Sequence, residues 1–180
     1  MLKSLNALDS WFEVIGRGVD SASNFFNSTG QKVQTGGVAQ ALKCQKAPDT
    51  AIVAVGVEQL AEAATVLIES GTSRILLEKP GGLNFEQIQL LNDVAVKHNA
   101  NVWLAYNRRF YASTFKAEEM ISGDKGASSV HFEFTEWSHE ICDMDKAPEV
   151  KEHWFLANSS HVVDLVFHLC GTPKDWSSWF

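Results

Sequence analysis

A chain of 180 residues with 15 basic and 22 acidic side chains carries a formal charge of −7. That charge argues against nucleic acid or an anionic membrane as partner, because both are met by a basic face. No apolar stretch approaches the roughly 20 residues of a membrane-spanning helix, and the first six residues lack the apolar core of a signal peptide. Hydrophobic content of 45% and charged content of 21% are ordinary globular values, enough to build one core and part of another. Cys44, Cys142 and Cys170 are sparse and fall in no motif, which suits a reducing cytoplasm better than a disulfide scaffold.

In chain order, Leu2, Leu5 and Leu8 recur at helical spacing and predict a short helix ended by Asp9-Ser10. Residues 11–19 read as a strand closed by Asp20, and 21–29 as a helix whose apolar content is Phe25 and Phe26. Val33 marks a short strand between glycines, and 38–43 predict another short helix. Residues 50–56 form an uninterrupted apolar run after Pro48-Asp49, the kind that suits a parallel strand covered on both faces. The Ala- and Leu-rich stretch 58–70 sets Leu60, Ala63, Ala64, Leu67 and Ile68 on one helical face, with Gly71 at the stop position. Arg74-Ile75-Leu76-Leu77 is the next strand, Asn84 caps a helix over 85–98, and 101–106 is a further strand. Strand and helix alternate at least three times, which predicts an α/β, doubly wound parallel sheet with right-handed connections.

After Tyr106 the rhythm changes. Residues 115–121 read as helix, and Gly123 and Gly126 break it. Residues 130–136 alternate apolar and polar, as a half-covered antiparallel strand does. The polar stretch 139–152 reads as a loop, and Ser159 or Ser160 opens a helix through Leu169 that Gly171 and Pro173 end. A boundary near 107–110 divides the chain into 1–108, the parallel-sheet domain, and 109–180, the beginning of an α+β domain with an antiparallel sheet.

The chain is organised around Glu78-Lys79-Pro80-Gly81-Gly82. These residues follow a short apolar strand, and the carboxyl edge of an open parallel sheet is where ligands bind. Pro80 cannot continue a ladder and Gly81-Gly82 let the backbone turn away, so Lys79 projects from a stiff turn. On position alone Lys79 is either a functional ammonium or a solvated loop lysine. Asp20, at the end of the strand over 11–19, is either the acid that binds a ribose hydroxyl or a turn aspartate. His161 offers an imidazole that titrates near working pH, and the alternative is a capping or core histidine. Asp164 stands one turn on and can orient His161, or serve as an acid in the helix's first turn. His161, Asp164 and His168 share a face, but no further strong ligand such as a Cys pair lies nearby, so no metal is expected. Asn107 and Arg109 follow the last parallel strand, with Arg109 as an ion-pair partner. Trp103, Trp154, Trp176 and Trp179 read as core or interface.

Four stretches together carry a resemblance. They are the run 51–56 with its helix, Glu78-Lys79-Pro80, Ala105-Tyr106-Asn107-Arg108-Arg109-Phe110 and His161-Val162-Val163-Asp164-Leu165. In this order the chain resembles the glucose–fructose oxidoreductase, inositol dehydrogenase and MocA family of nicotinamide-dependent dehydrogenases. The resemblance implies a partial Rossmann-like sheet and hydride transfer between NAD, with NADP possible, and a secondary alcohol of a sugar, cyclitol or sugar derivative. It implies Lys79 and His161 as catalytic residues. Asp20, Gly56, Glu78, Lys79, Pro80 and Asn107 would lie toward the cofactor, and Trp137, Asn158 and Asp164 toward the substrate. It also implies a homo-oligomer when full length. The competing expectation is a non-catalytic sugar- or dinucleotide-binding regulator of the same fold.

The departures are equally specific. No G-x-G-x-x-G turn is present to cradle a pyrophosphate, because Gly16-Arg17-Gly18 falls within the strand over 11–19 and has no third glycine. The chain therefore reads as a piece of a longer protein, expected to bind NAD poorly by itself and to expose an apolar face. Family members commonly place an aspartate four residues before the histidine that corresponds to His161. Here that residue is Ala157, so Asn158 or a neighbouring serine is expected to assist. The run Asn158-Ser159-Ser160-His161 also resembles relatives that act on sugar nucleotides.

Overall fold

The computed structural model describes residues 2–178. Apolar side chains alternate along β3 (Thr50–Val53), β4 (Arg74–Leu77) and β5 (Asn101–Leu104), three parallel strands joined in sequence order. The register sets Ala51 beside Ile75 and Val102, and Val53 beside Leu77 and Leu104. Onto this face pack α4 (Leu60–Glu69), entered through a 3-10 turn at Val57–Gln59, and α5 (Phe85–Lys97). Leu60, Ile68, Ile75 and Leu77 are fully enclosed between the layers, with Leu91 and Ala95 closing the core from α5. Full burial of such side chains contributes roughly 1.5–3 kcal/mol each.

The ends of these helices follow their sequences. The Asn84 side chain accepts the Gln87 N–H at 2.9 Å, while Gln87 Oε1 accepts the Leu83 N–H at 2.8 Å. This is a reciprocal cap on two otherwise orphaned donors. Gly71, just past α4, takes a φ of 108°, the left-handed conformation that ends many helices.

The opposite face of the sheet differs from expectation. Ile52, Leu76 and Trp103 lie side by side across the strands and stay 38%, 40% and 53% exposed. The apolar run at 50–56 is thus covered on one face among the described residues, because both crossover helices pack on the same side.

The chain begins with α1 (Leu2–Ala7), β1 (Val14–Ile15), α2 (Val19–Thr29), β2 (Val33–Gln34) and α3 (Gly37–Ala41). β1 and β2 pair in parallel but share no ladder with β3–β5 among the described residues. The strand expected over 11–19 is only two residues long. Gly16 donates its N–H to Gln34 O, then accepts from Gly37 N, and Arg17 O accepts from Gly36 N. These contacts turn the chain aside, and α2 opens at Val19. Asp20 therefore does not end a strand: it is an exposed acid in the first turn of a helix.

Beyond a 3-10 turn at Asn107–Phe110 come α6 (Ala112–Gly123), α7 (Ser138–Asp143), α8 (Pro148–Glu152), a π-helical turn at Phe155–Ser159 and α9 (Ser160–Cys170). Residues 130–136 form no ladder with any described strand, so among the described residues the expected antiparallel sheet is not formed. Alternation prepares a strand, but a strand needs a neighbour to satisfy its backbone. The loop expected over 139–152 instead holds α7 and α8. Pro148 starts α8, whose Val150 is buried with Leu83 and Ala157. That small cluster seats the second region against the turn after β4. Trp179 lies outside the described residues.

Candidate active site

Lys79 is held by the sheet edge below it. Glu78 N donates to Val53 O at 2.9 Å, and Ala105 N to Leu77 O at 2.8 Å, so the ladder extends past both strands. Gly81 N closes on Glu78 O at 3.1 Å, across a cis Lys79–Pro80 bond with Pro80 fully buried. Gly81 has a φ of 92°, and a Cβ there would stand 2.8 Å from a Leu104 methyl, so only glycine fits without strain. From this turn the Lys79 ammonium donates to the Ala157 carbonyl at 2.6 Å. Burial holds it below the usual lysine range, Glu78 opposes this, and Arg108 adds to it.

Ala157 lies in the π-helical turn at Phe155–Ser159, whose wider winding leaves a carbonyl available to Lys79. Where the resemblance leads to an aspartate, this chain offers a backbone oxygen. His161 follows in the first turn of α9. Its ring meets Tyr106 edge to face, with centroids 5.7 Å apart and planes at 84°. His161 Nδ1 is buried and has no hydrogen-bond partner. Burial pushes the imidazole pKa down from 6.5, and Lys79 and Arg108 push it further, with Asp164 opposing. The site therefore favours the uncharged imidazole.

Asp164 does not orient His161 as expected. Arg109 takes both its oxygens, Nε donating to Oδ2 at 2.8 Å and Nη2 to Oδ1. A planar guanidinium fork matches a carboxylate better than an imidazole edge does. The pair ties α9 to the turn after β5, with Asp164 only 10% exposed. Arg109 also stands 5.7 Å from the centroid of the Tyr106 ring. Burial raises the Tyr106 phenol above its ordinary pKa; Asp164 adds to this and Arg109 opposes it.

A second polar knot supports the turn from the other side. Glu136 accepts hydrogen bonds from Trp154 Nε1 at 2.9 Å, Asn158 Nδ2 at 3.1 Å and Ser159 Oγ. The bonds from Ser159 and Trp154, then Asn158, hold the Glu136 carboxyl below the usual glutamate range. Next to it opens a cleft of about 450 Å³ lined by Gly56, Val57, Lys146, Trp154, Ala157 and Asn158. Ala157 is common to the cleft wall and the Lys79 contact.

Of the residues singled out in the sequence, Lys79, on the turn with Glu78 and Pro80, reaches the Ala157 carbonyl four residues before His161, Asp164 pairs with Arg109, and Gly56 and Asn158 line the adjoining cleft. Asn107 is exposed at the end of β5. Trp137 is 60% exposed and stacks on His139 at 5.9 Å, and Asp20 sits on α2. No group of three or more metal-ligating side chains forms among the described residues, and His168 pairs with Glu118 at 2.8 Å. Sequence reasoning missed Tyr106 as a site member. The available signal was its place, just past the end of β5.

No protein family profile matches the sequence, and no curated protein does. Solved structures match by shape. The WlbA dehydrogenase from Bordetella pertussis, in complex with NADH and UDP-GlcNAcA, superposes with a TM-score of 0.72 at 15% identity, over 93% of this chain and 53% of that one. The WlbA dehydrogenase from Chromobacterium violaceum, with the same two ligands, gives 0.66 at 16% identity over 89% and 47%. The scyllo-inositol dehydrogenase from Lactobacillus casei gives 0.63 at 16% identity over 90% and 47%. The chain spans about half the length of these structures, and its fold is that of the glucose–fructose oxidoreductase, inositol dehydrogenase and MocA group.

Proposed function

We propose that this chain carries the reacting groups of an NAD-dependent oxidoreductase that moves a hydride between the nicotinamide and a secondary alcohol of a sugar, cyclitol or sugar derivative. The observation that carries this reading is the Lys79 ammonium at the carboxyl edge of a parallel sheet, donating at 2.6 Å to the carbonyl of Ala157, four residues before His161. NADH and UDP-GlcNAcA in the two WlbA structures support the choice of cofactor and of a sugar derivative as substrate. We assign the protein to the cytoplasm and the complete protein to a homo-oligomer.

The residues present fit the reacting end of the cofactor. The cleft beside Gly56 and Val57 lies within the roughly 300–1,000 Å³ of small-molecule pockets. Bound NAD would supply the acceptor for the hydride of the alcohol carbon. His161, whose uncharged form the site favours, takes the hydroxyl proton, a role that typically contributes 10²–10⁴-fold. Lys79 is a donor already aimed into the site, and its ammonium stabilises the negative charge that develops on the alcohol oxygen. Glu78 and Pro80 set the backbone from which Lys79 projects. Asp164 acts through Arg109, as a strut for α9, and Asn158 forms cleft wall.

In the complete gene product, Lys79→Ala and His161→Ala should each lower NADH formation from a panel of polyols and sugar nucleotides by at least 100-fold. NADH binding, followed by fluorescence, should stay measurable, and NADP is run as a parallel arm. Turnover unchanged by both substitutions overturns the assignment. NADH binding with no turnover on any panel member favours the regulatory reading, to which Ala157 in place of an aspartate points.

A further inference from the structure

Between α6 and α7, the stretch 127–136 makes no backbone–backbone hydrogen bond among the described residues. It leaves Gly126 at a φ of 119° and enters α7 through Trp137, whose φ of −98° and ψ of 103° are extended. On an extended chain Val130, Phe132 and Phe134 fall on one side, and His131, Glu133 and Thr135 on the other. One end is fastened to the body. Glu136 is held by three donors of the 154–159 segment, and the Phe134 ring centroid lies 5.8 Å from that of Phe155. The rest is open, with Val130 and Phe132 52% and 42% exposed.

Open strand edges are commonly blunted by lysine, proline or a bulge. The stretch 127–137 contains no lysine, arginine or proline. What it does contain is self-complementary. Laid antiparallel on a second copy about a twofold axis at Phe132, it sets Val130 opposite Phe134 and His131 opposite Glu133, each twice, with Phe132 facing itself. An imidazole N–H then meets a carboxylate across the pair, and the apolar side chains meet only one another. The neighbouring registers fail. Centring on Glu133 brings two carboxylates face to face, and centring on Phe134 sets Phe132 against Glu136, which three donors already hold. Centring on His131 leaves Phe134 and Glu133 opposite serines, and a one-residue slip puts a phenylalanine opposite His131 or Glu133.

We propose that residues 128–136 are a docking strand for a second copy of this chain, the two joined as an antiparallel ladder centred on Phe132. The proposal draws nothing from the hydride-transfer reading. It gives the unpaired backbone groups of the stretch their neighbours. It also reaches the cleft: Glu136, at the end of the ladder, holds Trp154 and Asn158 in the cleft wall, so the second copy steadies that wall. A ladder this short makes a small contact, and the association is therefore concentration-dependent.

Sedimentation velocity of the chain, from micromolar to near-millimolar concentration, should show its mass doubling. Glu133 is exposed, so Glu133→Lys should leave the amide spectrum folded. It sets two lysines opposite two histidines and should weaken association about tenfold. Adding His131→Glu to Glu133→Lys rebuilds both pairs with the charges exchanged and should recover the dimer. Isotope-filtered NMR on a mixture of labelled and unlabelled chain should show Val130 in contact with Phe134 of the other copy. A monomer at every concentration, association that Glu133→Lys leaves unchanged, or no recovery in the double variant each overturns the proposal. So do contacts between copies at Ile52, Leu76 and Trp103 in place of those between Val130 and Phe134.

Discussion

Residues 50–104 and residues 109–178 are held together by different physics. The first region encloses a continuous apolar layer between one sheet face and two helices, with Leu60, Ile68, Ile75 and Leu77 at its centre. The second encloses little: Val150 and Ala157, joined by Leu83 from the first region, make its small buried cluster. Specific polar contacts fix it instead, Arg109 to Asp164, Lys79 to Ala157, and Glu136 to three donors. Val57 packs against both clusters and links them. The comparison teaches that the stable half supplies a rigid edge, while the half bearing His161 is placed on that edge by directional bonds. Directional bonds are individually worth about 0.5–1.5 kcal/mol net, but they specify geometry closely.

The largest expected effect breaks the first half. Ile75→Ala removes a fully enclosed side chain from the central strand and should cost about 2–5 kcal/mol. Urea unfolding followed by far-UV circular dichroism measures this as a lower midpoint. A loss under 1 kcal/mol would show that the layer is not the main source of stability.

The same contrast governs how far the amino-acid sequence could be read. β4 and the cap at Asn84 follow directly from a four-residue apolar run and a helix-start signal, because local pattern and tertiary packing agree there. The run 130–136 alternates as well as any strand, yet no described strand lies beside it, and pairing is a property of the neighbour. Asp20 was misplaced because the loop around Gly36 and Gly37 ends β1 early through backbone bonds that no periodicity reports. At the site, Lys79 and His161 were legible as chemistry at the ends of elements. That Asp164 serves Arg109, and that a Tyr106 ring rather than a carboxylate sits against His161, depends on which side chain reaches first in three dimensions.

A smaller effect sharpens the picture of the second half. Glu136 is held low in pKa by the donors around it, so its ionised form is the one the fold favours. The stability this contributes is complete above the ordinary glutamate value of 4.5 and is lost as pH falls through the lower folded value. The Trp154 indole N–H resonance should therefore move only in acid below that value, and Glu136→Gln should abolish the titration. A midpoint at or above 4.5 would mean that the bonds from Ser159 and Trp154 do not favour the carboxylate.

The subtlest effect tests the joint between the halves. Burial is the largest cause of the low His161 pKa, and Lys79, which belongs to the other region, is the next. Lys79→Gln removes the second cause and leaves the first. The His161 pKa, read from its Cε1–H chemical shift, should rise but remain below 6.5. The linkage sign follows from the depressed pKa: stability is complete above 6.5 and is lost as pH falls toward the folded value. In Lys79→Gln this loss should begin at the same pH and be smaller in extent, because the folded and unfolded pKa values lie closer. If Lys79→Gln leaves the His161 titration where it was, the ammonium and the imidazole do not share a site, and the polar contacts of the second region orient α9 toward something other than the sheet edge.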